Sequence, residues 1–462
     1  MKQPPTRVGL SALLAARARL AAIALMLIMS PVVTPADSPG YGQETISTAS
    51  TTVNETTPTP ASPLSGAILE RSKLTGDWWG VRDTLSSQGF ALGVSLTQFY
   101  QGVVAGGNER DFEYGGKLDY YLNFDGAKAG LWPGLSLTMH VETRYGEDVN
   151  DIEGMLAFAN FNMAFPKAGK TGTGVTALKL TQSFFDHFLL IAGKINTLDD
   201  FRLNFTGRNG LERFMNSAIV ANIINGRTVP YSTYGAGFAL FEKEGPEFTF
   251  LARDPDNHPT AADLNELFAH GVLLTGSFRL PVTFNGLAGT QVIGGGWSSR
   301  HYTSLDPSSW ENIPGQGLVA PEESGSWALY YNFDQYLWVS SSNTNTWLGI
   351  FGMSGLSDGN PNSVRWNVTF GVSAGGLIPG RERDTCGLGY FHIGLSDNFK
   401  DLLSGPSAPP GLAQRDEQGV ELYYNATFTP WCHLTADLQI AQPSTKRLDT
   451  TVLLGSRLKI DF

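Results

Sequence analysis

Apolar and polar side chains alternate with a period of two along most of the chain after residue 90. In the segment 117–125 the even positions are Leu, Tyr, Leu and Phe, while the odd positions are Lys, Asp, Tyr, Asn and Asp. The same alternation occurs in the segments 92–101, 135–144, 364–373, 421–428 and 451–462. Successive side chains of a β-strand point to opposite faces of the sheet. The pattern therefore predicts many strands, each with one apolar and one polar face.

Each of these segments is about as long as a tilted strand that crosses a bilayer. Aromatic residues repeatedly bracket them, namely Tyr100, Trp132, Tyr145, Trp327, Tyr336, Trp338, Trp347 and Trp431. Membrane barrels carry such aromatic girdles at both interfaces, whereas a soluble sandwich tends to use shorter strands. We predict an all-β fold, a transmembrane antiparallel β-barrel. At roughly 24 residues per strand and connection, about 390 residues give about 16 strands. A soluble β-rich protein is the alternative.

The residues before the first strand fall into three segments. Residues 1–36 contain positive charges and then the apolar run 20–29, which predicts a signal peptide because the run is too short to span a membrane comfortably. Residues 37–66 are rich in Ser, Thr and Pro, which predicts disorder. Residues 67–462 form the predicted barrel domain. It starts with a short helix at 77–88, with Asp77 as N-cap and Gly89 as the stop.

Composition narrows the function classes. The formal net charge of −11 argues against nucleic acid as a partner. The two cysteines, Cys386 and Cys432, do not form a C-x-x-C pair, which disfavours a metal or redox motif. They are either one disulfide or, as we favour, two small apolar residues. Only 16 % of the residues are charged and 53 are glycine, as fits a membrane barrel in which every second residue meets lipid.

The polar faces of the predicted strands supply the candidate site. Their charged residues are expected to line a pore: Lys117, Asp119, His140, Glu142, Arg144, Arg365 and Glu421. Side chains of this kind offer hydrogen bonds to a polar solute, and Arg is well suited because its fork donates in a plane. Any single one of these residues could equally be an ordinary solvated lumen charge. Glu142 and Asp119 do not define a glycosidase pair, because the sequence does not fix their separation. We predict no enzymatic activity, no cofactor and no metal.

Three stretches are rich in Pro, Asp, Glu and Ser and are predicted as the longer loops. They are residues 254–266, 305–326 and 404–418. They are expected to lie outside the barrel or to fold into its lumen. Arg381, Arg383 and Asp384 follow a Gly-Pro turn region and are predicted to lie in a loop or at the rim.

Four stretches resemble the carbohydrate-selective porins of bacterial outer membranes, the OprB-type family. They are Leu74-Thr-Gly-Asp-Trp-Trp-Gly-Val-Arg82, with Trp79 where a glycine is more usual; 192–196 with 214–218; 376–381 with Asp384 and 387–390; and 421–425 with the ending 454–462. The resemblance spans about residues 70–462. The final strand, which ends on Phe462, is similar to the closing strand of outer-membrane barrels.

The resemblance implies a 16-stranded barrel that admits sugars, glucose in particular, by diffusion. It also implies residence in the outer membrane among lipid, and recognition of Phe462 by the barrel-assembly machinery. A homo-oligomer remains open. A general or differently selective porin and a secreted carbohydrate-binding β-protein are the alternatives, and a structural role for the arm 37–66 is a third, weaker idea. The N-terminal helix is expected to close the periplasmic mouth rather than to enter the pore.

Overall fold

The structure, a computed structural model, describes residues 66–462 except 167–170, 202, 208–209, 243–244, 262–263, 316 and 406–407. The predicted signal peptide and nearly all of the predicted disordered segment lie outside the described residues. No helix in the described part of the chain is long and apolar enough to span a membrane.

Sixteen long strands close into one antiparallel barrel within the described residues. The chain order of the strands is β1 Phe90–Ala105, β2 Phe112–Asp125, β3 Leu135–Gly146, β4 Gly172–Phe184, β5 Phe188–Asn196, β6 Ser232–Phe241, β7 Glu247–Arg253, β8 Leu273–Phe284, β9 Leu287–Thr303, β10 Glu311–Ile313, β11 Gly317–Val319, β12 Glu322–Val339, β13 Trp347–Ser357, β14 Val364–Gly375, β15 Thr385–Leu395, β16 Glu417–Thr429, β17 Cys432–Gln442 and β18 Thr451–Asp461. Strands β10 and β11 form a separate hairpin, and β1 pairs with β18 to close the barrel. The predicted fold class and strand number are confirmed.

Period-two alternation becomes the two faces of the wall. On β2, Lys117 and Asp119 are 5 % and 1 % exposed, whereas Tyr120, the next residue on the opposite face, is 38 % exposed. Large apolar side chains such as Leu329, Leu356 and Phe370 remain more than half exposed on the outer face. An outward apolar face with a polar interior is the pattern of a barrel that sits in lipid.

The connections differ in length at the two ends of the barrel. Short turns join strands at one end, for example residues 285–286 and 430–431, and long loops join them at the other. The two longest connections are residues 147–171 (the β3–β4 loop) and 197–231 (the β5–β6 loop). The predicted loop stretches 254–266, 305–326 and 404–418 overlap three other connections at the long-loop end. Residues 322–326 and 417–418, however, belong to β12 and β16.

Three helices accompany the barrel in the described residues: α1 Val81–Ser87, α2 Ser217–Val220 and α3 Asp397–Ser404. Helix α1 begins four residues later than predicted, because Trp78, Trp79 and Gly80 have positive φ and cannot continue a right-handed helix. The helix ends at Ser87, and Gln88 is its C-cap. Gly89 follows with a φ of 91°, a left-handed conformation that stops the helix as predicted. No residue of α1 is buried, so the helix does not fill the lumen.

Both cysteines are free. Cys386 follows the first residue of β15 and Cys432 begins β17, both at the short-turn end. Arg381, Arg383 and Asp384 lie in the β14–β15 turn, as predicted, where Asp384 accepts a hydrogen bond from Arg381 (2.7 Å).

Candidate functional site

Four of the predicted site residues meet on the inner face of one hairpin. The antiparallel register of β2 and β3 sets Asp119 opposite Glu142 and Tyr121 opposite His140. Lys117 lies two residues before Asp119 on the same face, since side chains of one strand repeat every second residue. The side chains of Lys117, Asp119, His140 and Glu142 are each at most 6 % exposed. Pairing of neighbouring strands thus gathers two cations and two carboxylates at one height of the wall.

A continuous ion-pair network joins these groups. Lys117 Nζ pairs with Glu142 Oε1 and lies 3.7 Å from Asp119 Oδ1. His140 Nε2 lies 3.0 Å from Asp119 Oδ1, and its Nδ1 lies 2.9 Å from Asp199 Oδ1. Both ring nitrogens of His140 therefore face carboxylate oxygens, which accept but do not donate when ionised. The imidazole consequently carries both protons and a positive charge.

Asp199 enters this network from the β5–β6 loop, which folds into the barrel. Burial raises the pKa of the Asp199 carboxyl, and the His140 cation opposes that rise. From the end of the same loop, the hydroxyl of Tyr231 donates to Glu142 Oε2; burial, followed by the Glu142 charge, raises the pKa of that phenol well above its usual value. Asn196 Nδ2, at the end of β5, donates to the same carboxylate at 3.2 Å.

The opposite wall holds the β5–β6 loop by hydrogen bonds to its backbone. Glu421 on β16 accepts from the backbone nitrogens of Met215 and Asn216, the second at 2.9 Å. Thr369 on β14 donates to the Ala218 carbonyl (2.7 Å). Arg457 on β18 donates to the Arg213 carbonyl (2.9 Å). The loop therefore crosses the lumen from β5 to the strands around β16.

Glycines in the wall leave room for this loop. A Cβ atom on Gly355 would lie 2.6 Å from Ile224 Cβ, and one on Gly389 would lie 2.8 Å from Ile219 Cδ1. Such distances are closer than real side-chain carbons approach, so any larger residue would push the loop inward. Part of the high glycine content is thus explained by loop packing.

The β3–β4 loop also bends inward and packs on the β5–β6 loop. Glu417 on β16 accepts from the backbone nitrogens of Leu156 (2.8 Å) and Ala157 (2.7 Å). The Ser217 nitrogen donates to the Phe158 carbonyl at 2.8 Å. The two loops therefore form one body that narrows the lumen, and together with the β2–β3 network they define what we call the constriction.

A small space lies within the constriction. Its charged lining is Lys117, Asp119, His140, Glu142 and Asp199; polar and aromatic side chains complete it, including Asn162, Asn196, Tyr121, Phe165 and Tyr231. The rings of Tyr121 and His140 stack at 4.0 Å, and those of Phe165 and Tyr231 stack at 4.5 Å. Flat rings beside hydrogen-bonding groups match a solute with apolar ring faces and hydroxylated edges.

The other three predicted residues lie apart from this space. Arg144 binds Asp148 at the start of the β3–β4 loop (2.9 Å). Arg365 is exposed beside a β-bulge at the long-loop end of β14, and it donates to the Ser357 carbonyl. Glu421 is fully buried beneath the β5–β6 loop, where it holds backbone nitrogens.

Sequence reasoning missed Asp199, Asn196 and Tyr231. Asn196 ends β5, whereas Asp199 and Tyr231 lie in the β5–β6 loop, which has no period-two pattern between residues 197 and 231 and no Pro-rich cluster. Two signals were available: the stretches 192–196 and 214–218, which resemble the family, and Asn216 and Asn222, which cap short helical turns.

Two features could suggest other chemistry. Donor atoms of Asp119, His140 and Glu142 lie within 4.8 Å of one another, which is close enough for a metal ion. Both nitrogens of His140 and one oxygen of Glu142 are already engaged in ion pairs, so we assign the cluster to an ion-pair network. The run 355–359 has G-x-S-x-G spacing, but Ser357 Oγ donates to the Val364 carbonyl (2.6 Å) and no strand–turn–helix follows.

Fold and constriction together define a transmembrane porin. The family model of the carbohydrate-selective porin, OprB family, matches residues 109–462. The chain belongs to that family. It is therefore a carbohydrate-selective porin of the outer membrane and not an enzyme. Long loops of such barrels lie outside the cell and short turns face the periplasm.

Solved structures agree on the fold. The high-pH structure of Pseudomonas putida OprB aligns with a TM-score of 0.73 and 18 % identity over 86 % of this chain and 100 % of that chain. Its low-pH structure aligns with a TM-score of 0.55 and 15 % identity over 85 % and 99 %. The channel DcaP of Acinetobacter baumannii aligns at 0.50 and 11 % identity over 81 % and 97 %. Among curated protein sequences, none matches this chain.

Proposed function

We propose that the protein conducts glucose-like monosaccharides into the periplasm and that the solute passes through the constriction. The observation that carries this proposal is the lining of the space within the constriction by stacked rings and charged hydrogen-bonding groups.

We propose one of two roles for each of six of the seven residues predicted from the sequence. Lys117, Asp119, His140 and Glu142 contact the solute, and Arg144 and Glu421 fix the loops that shape the space. Arg365 stays a pore-entrance candidate at the extracellular rim. Diffusion through such a site needs weak contacts at several points, because a tightly held sugar would block the channel. Several hydrogen bonds, each of which the solute can exchange for one with water, meet that requirement.

Three further points belong to the same proposal. Residues 1–36 direct export and are removed, and residues 37–66 form a flexible arm ahead of the barrel. Phe462, the last residue after β18, is recognised by the barrel-assembly machinery. The porin works as a homo-oligomer in the outer-membrane lipid, with its loop-filled lumens side by side.

The test is single-channel conductance of the purified protein in a planar bilayer, titrated with glucose. Discrete channels whose current falls saturably with glucose support the proposal. Open channels that glucose does not affect would instead favour a general or differently selective porin. Tyr121→Leu removes one stacking ring and should weaken the glucose block. Tyr331→Leu, on the lipid face of β12, changes the same residue type outside the pore and should leave the block unchanged.

A further inference from the structure

We infer that the constriction discriminates by solute charge: it accepts neutral and amino sugars and rejects sugar acids, with Asp119 as the residue that sets the preference. The inference rests on the proposed passage of sugar through this space, and it names the class of sugar. It starts from one oxygen atom.

Asp119 Oδ2 is an acceptor without a donor. The side chain is 1 % exposed and lines the space within the constriction. Its other oxygen, Oδ1, faces His140 Nε2 at 3.0 Å, whereas Oδ2 has no hydrogen-bond partner in the described part of the chain. Buried carboxylate oxygens are normally hydrogen-bonded, because an unpaired one forfeits its hydration. The missing partner is therefore a donor supplied by the solute: a hydroxyl or an ammonium group.

The charges around that oxygen are unbalanced. Among the residues that line the space, Lys117 and His140 are cationic and Asp119, Glu142 and Asp199 are anionic, which leaves one net negative charge. Outside the space, Lys179 pairs with Asp200, and Lys459, whose charge also acts on Asp119, pairs with Asp461 (3.0 Å) and Glu212 (3.8 Å), so neither lysine is an uncompensated cation. Charges count for more in a narrow, low-dielectric passage than in bulk water.

The unpaired oxygen of Asp119 and the excess negative charge together determine how strongly each class of sugar binds. An amino sugar brings an ammonium that donates to Asp119 Oδ2 and neutralises the excess charge. A neutral sugar brings a hydroxyl that donates to the same oxygen without changing the charge. A uronic acid at neutral pH brings a carboxylate, whose oxygens accept hydrogen bonds and meet the excess negative charge. The expected order of affinity is amino sugar, neutral sugar, sugar acid.

The experiment compares solutes of nearly equal size in the full-length protein. Single-channel block is titrated at pH 7 with glucosamine, glucose and glucuronate, at fixed ionic strength. The wild-type protein should be half-blocked by glucosamine at a concentration about tenfold lower than by glucuronate. Equal half-block by these two sugars, with the glucose block intact, would overturn the inference and leave the proposed function standing. Absence of block by all three would overturn both.

Two variants assign the effect to its residues. Asp119→Asn keeps the shape and the acceptor towards His140 but removes the charge and turns Oδ2 into a donor. The glucosamine preference over glucuronate should fall to about twofold, and the glucose block should weaken because glucose loses its acceptor. Asp199→Asn removes a charge from the loop side of the same space and is informative if the first variant does not fold. Glu266→Gln, an exposed acid of the extracellular loop, is the matched control and should keep the full preference. A preference unchanged in both Asp119→Asn and Asp199→Asn would contradict the assignment.

Discussion

Arg82 Nη2 donates a hydrogen bond to the carbonyl oxygen of Phe462 at 3.1 Å, across 380 positions of sequence. The guanidinium also lies 4.4 Å from the centroid of the Trp78 ring. Next to this contact, the Leu74 nitrogen donates to the Asp461 carbonyl at 2.8 Å. The segment before β1 therefore fastens the end of β18 at the periplasmic rim, where the barrel closes.

Removing this fastening should weaken the closed barrel. We expect Arg82→Ala to lower the free energy of unfolding by about 1–2 kcal/mol, because a hydrogen bond from a charged group and a cation–π contact are lost together. Urea titration of the detergent-solubilised protein, followed by tryptophan fluorescence, measures the change. Arg110→Ala, at an exposed site at the opposite end of the barrel, should leave the unfolding curve in place.

Glu421 positions the β5–β6 loop, so its charge matters less than its two acceptor oxygens. In Glu421→Gln one oxygen becomes an amide nitrogen, which faces the backbone nitrogen of Met215 or Asn216 and cannot accept from it. We expect a cost of about 1–3 kcal/mol and a loop that leaves the wall. Open-channel conductance should rise and the glucose block should weaken. Glu322→Gln, whose side chain is 74 % exposed at the rim, is the control that should change neither.

The strands could be predicted because apolar residues that face lipid and polar residues that face the lumen alternate along each strand. Lys117, Asp119, His140 and Glu142 were also predictable as neighbours, since β2 and β3 are consecutive strands joined only by residues 126–134. The depth of each residue was not predictable. Glu421 has the same period-two signal as Glu142, yet it lies beneath a loop that belongs to a distant part of the sequence. The β-bulge beside Arg365 is likewise not marked by the alternation.

The inward β5–β6 loop escaped prediction for a different reason. Its Phe201, Phe205 and Phe214 are nearly fully buried, so its composition resembles that of core rather than loop. Pro, Asp, Glu and Ser mark loops that face water, and this loop has few of the prolines and serines that the other long loops contain. This loop faces the barrel wall, and its partners lie up to 247 positions away, as Arg457 does from Gly210.

The close contact between Gly355 and the β5–β6 loop can be tested by placing a larger side chain at residue 355. In Gly355→Val the new side chain would overlap Ile224, and overpacking of this kind costs about 1–3 kcal/mol. We expect a lower melting temperature and a changed conductance, because the loop must shift into the pore. Gly276→Val is the matched control, since a Cβ there meets its nearest atom at 3.9 Å. If both variants melted and conducted alike, the wall glycines would not be explained by loop packing.

The extracellular β7–β8 loop, residues 254–272, should loosen as pH rises. His270 Nδ1 lies 2.6 Å from Asp256 Oδ2, and this hydrogen bond raises the pKa of His270 above its usual 6.5. A histidine with a raised pKa stabilises the folded loop fully below its unfolded pKa, and the stabilisation is lost as pH rises through the higher folded value. Hydrogen exchange of this loop should therefore accelerate above about pH 6.5, beyond the intrinsic increase seen in the barrel strands. In His270→Gln this additional acceleration should vanish, whereas His301→Gln, which removes an exposed histidine near Glu322 instead, should retain it. An identical pH dependence in His270→Gln and the wild-type protein would show that another group controls the loop.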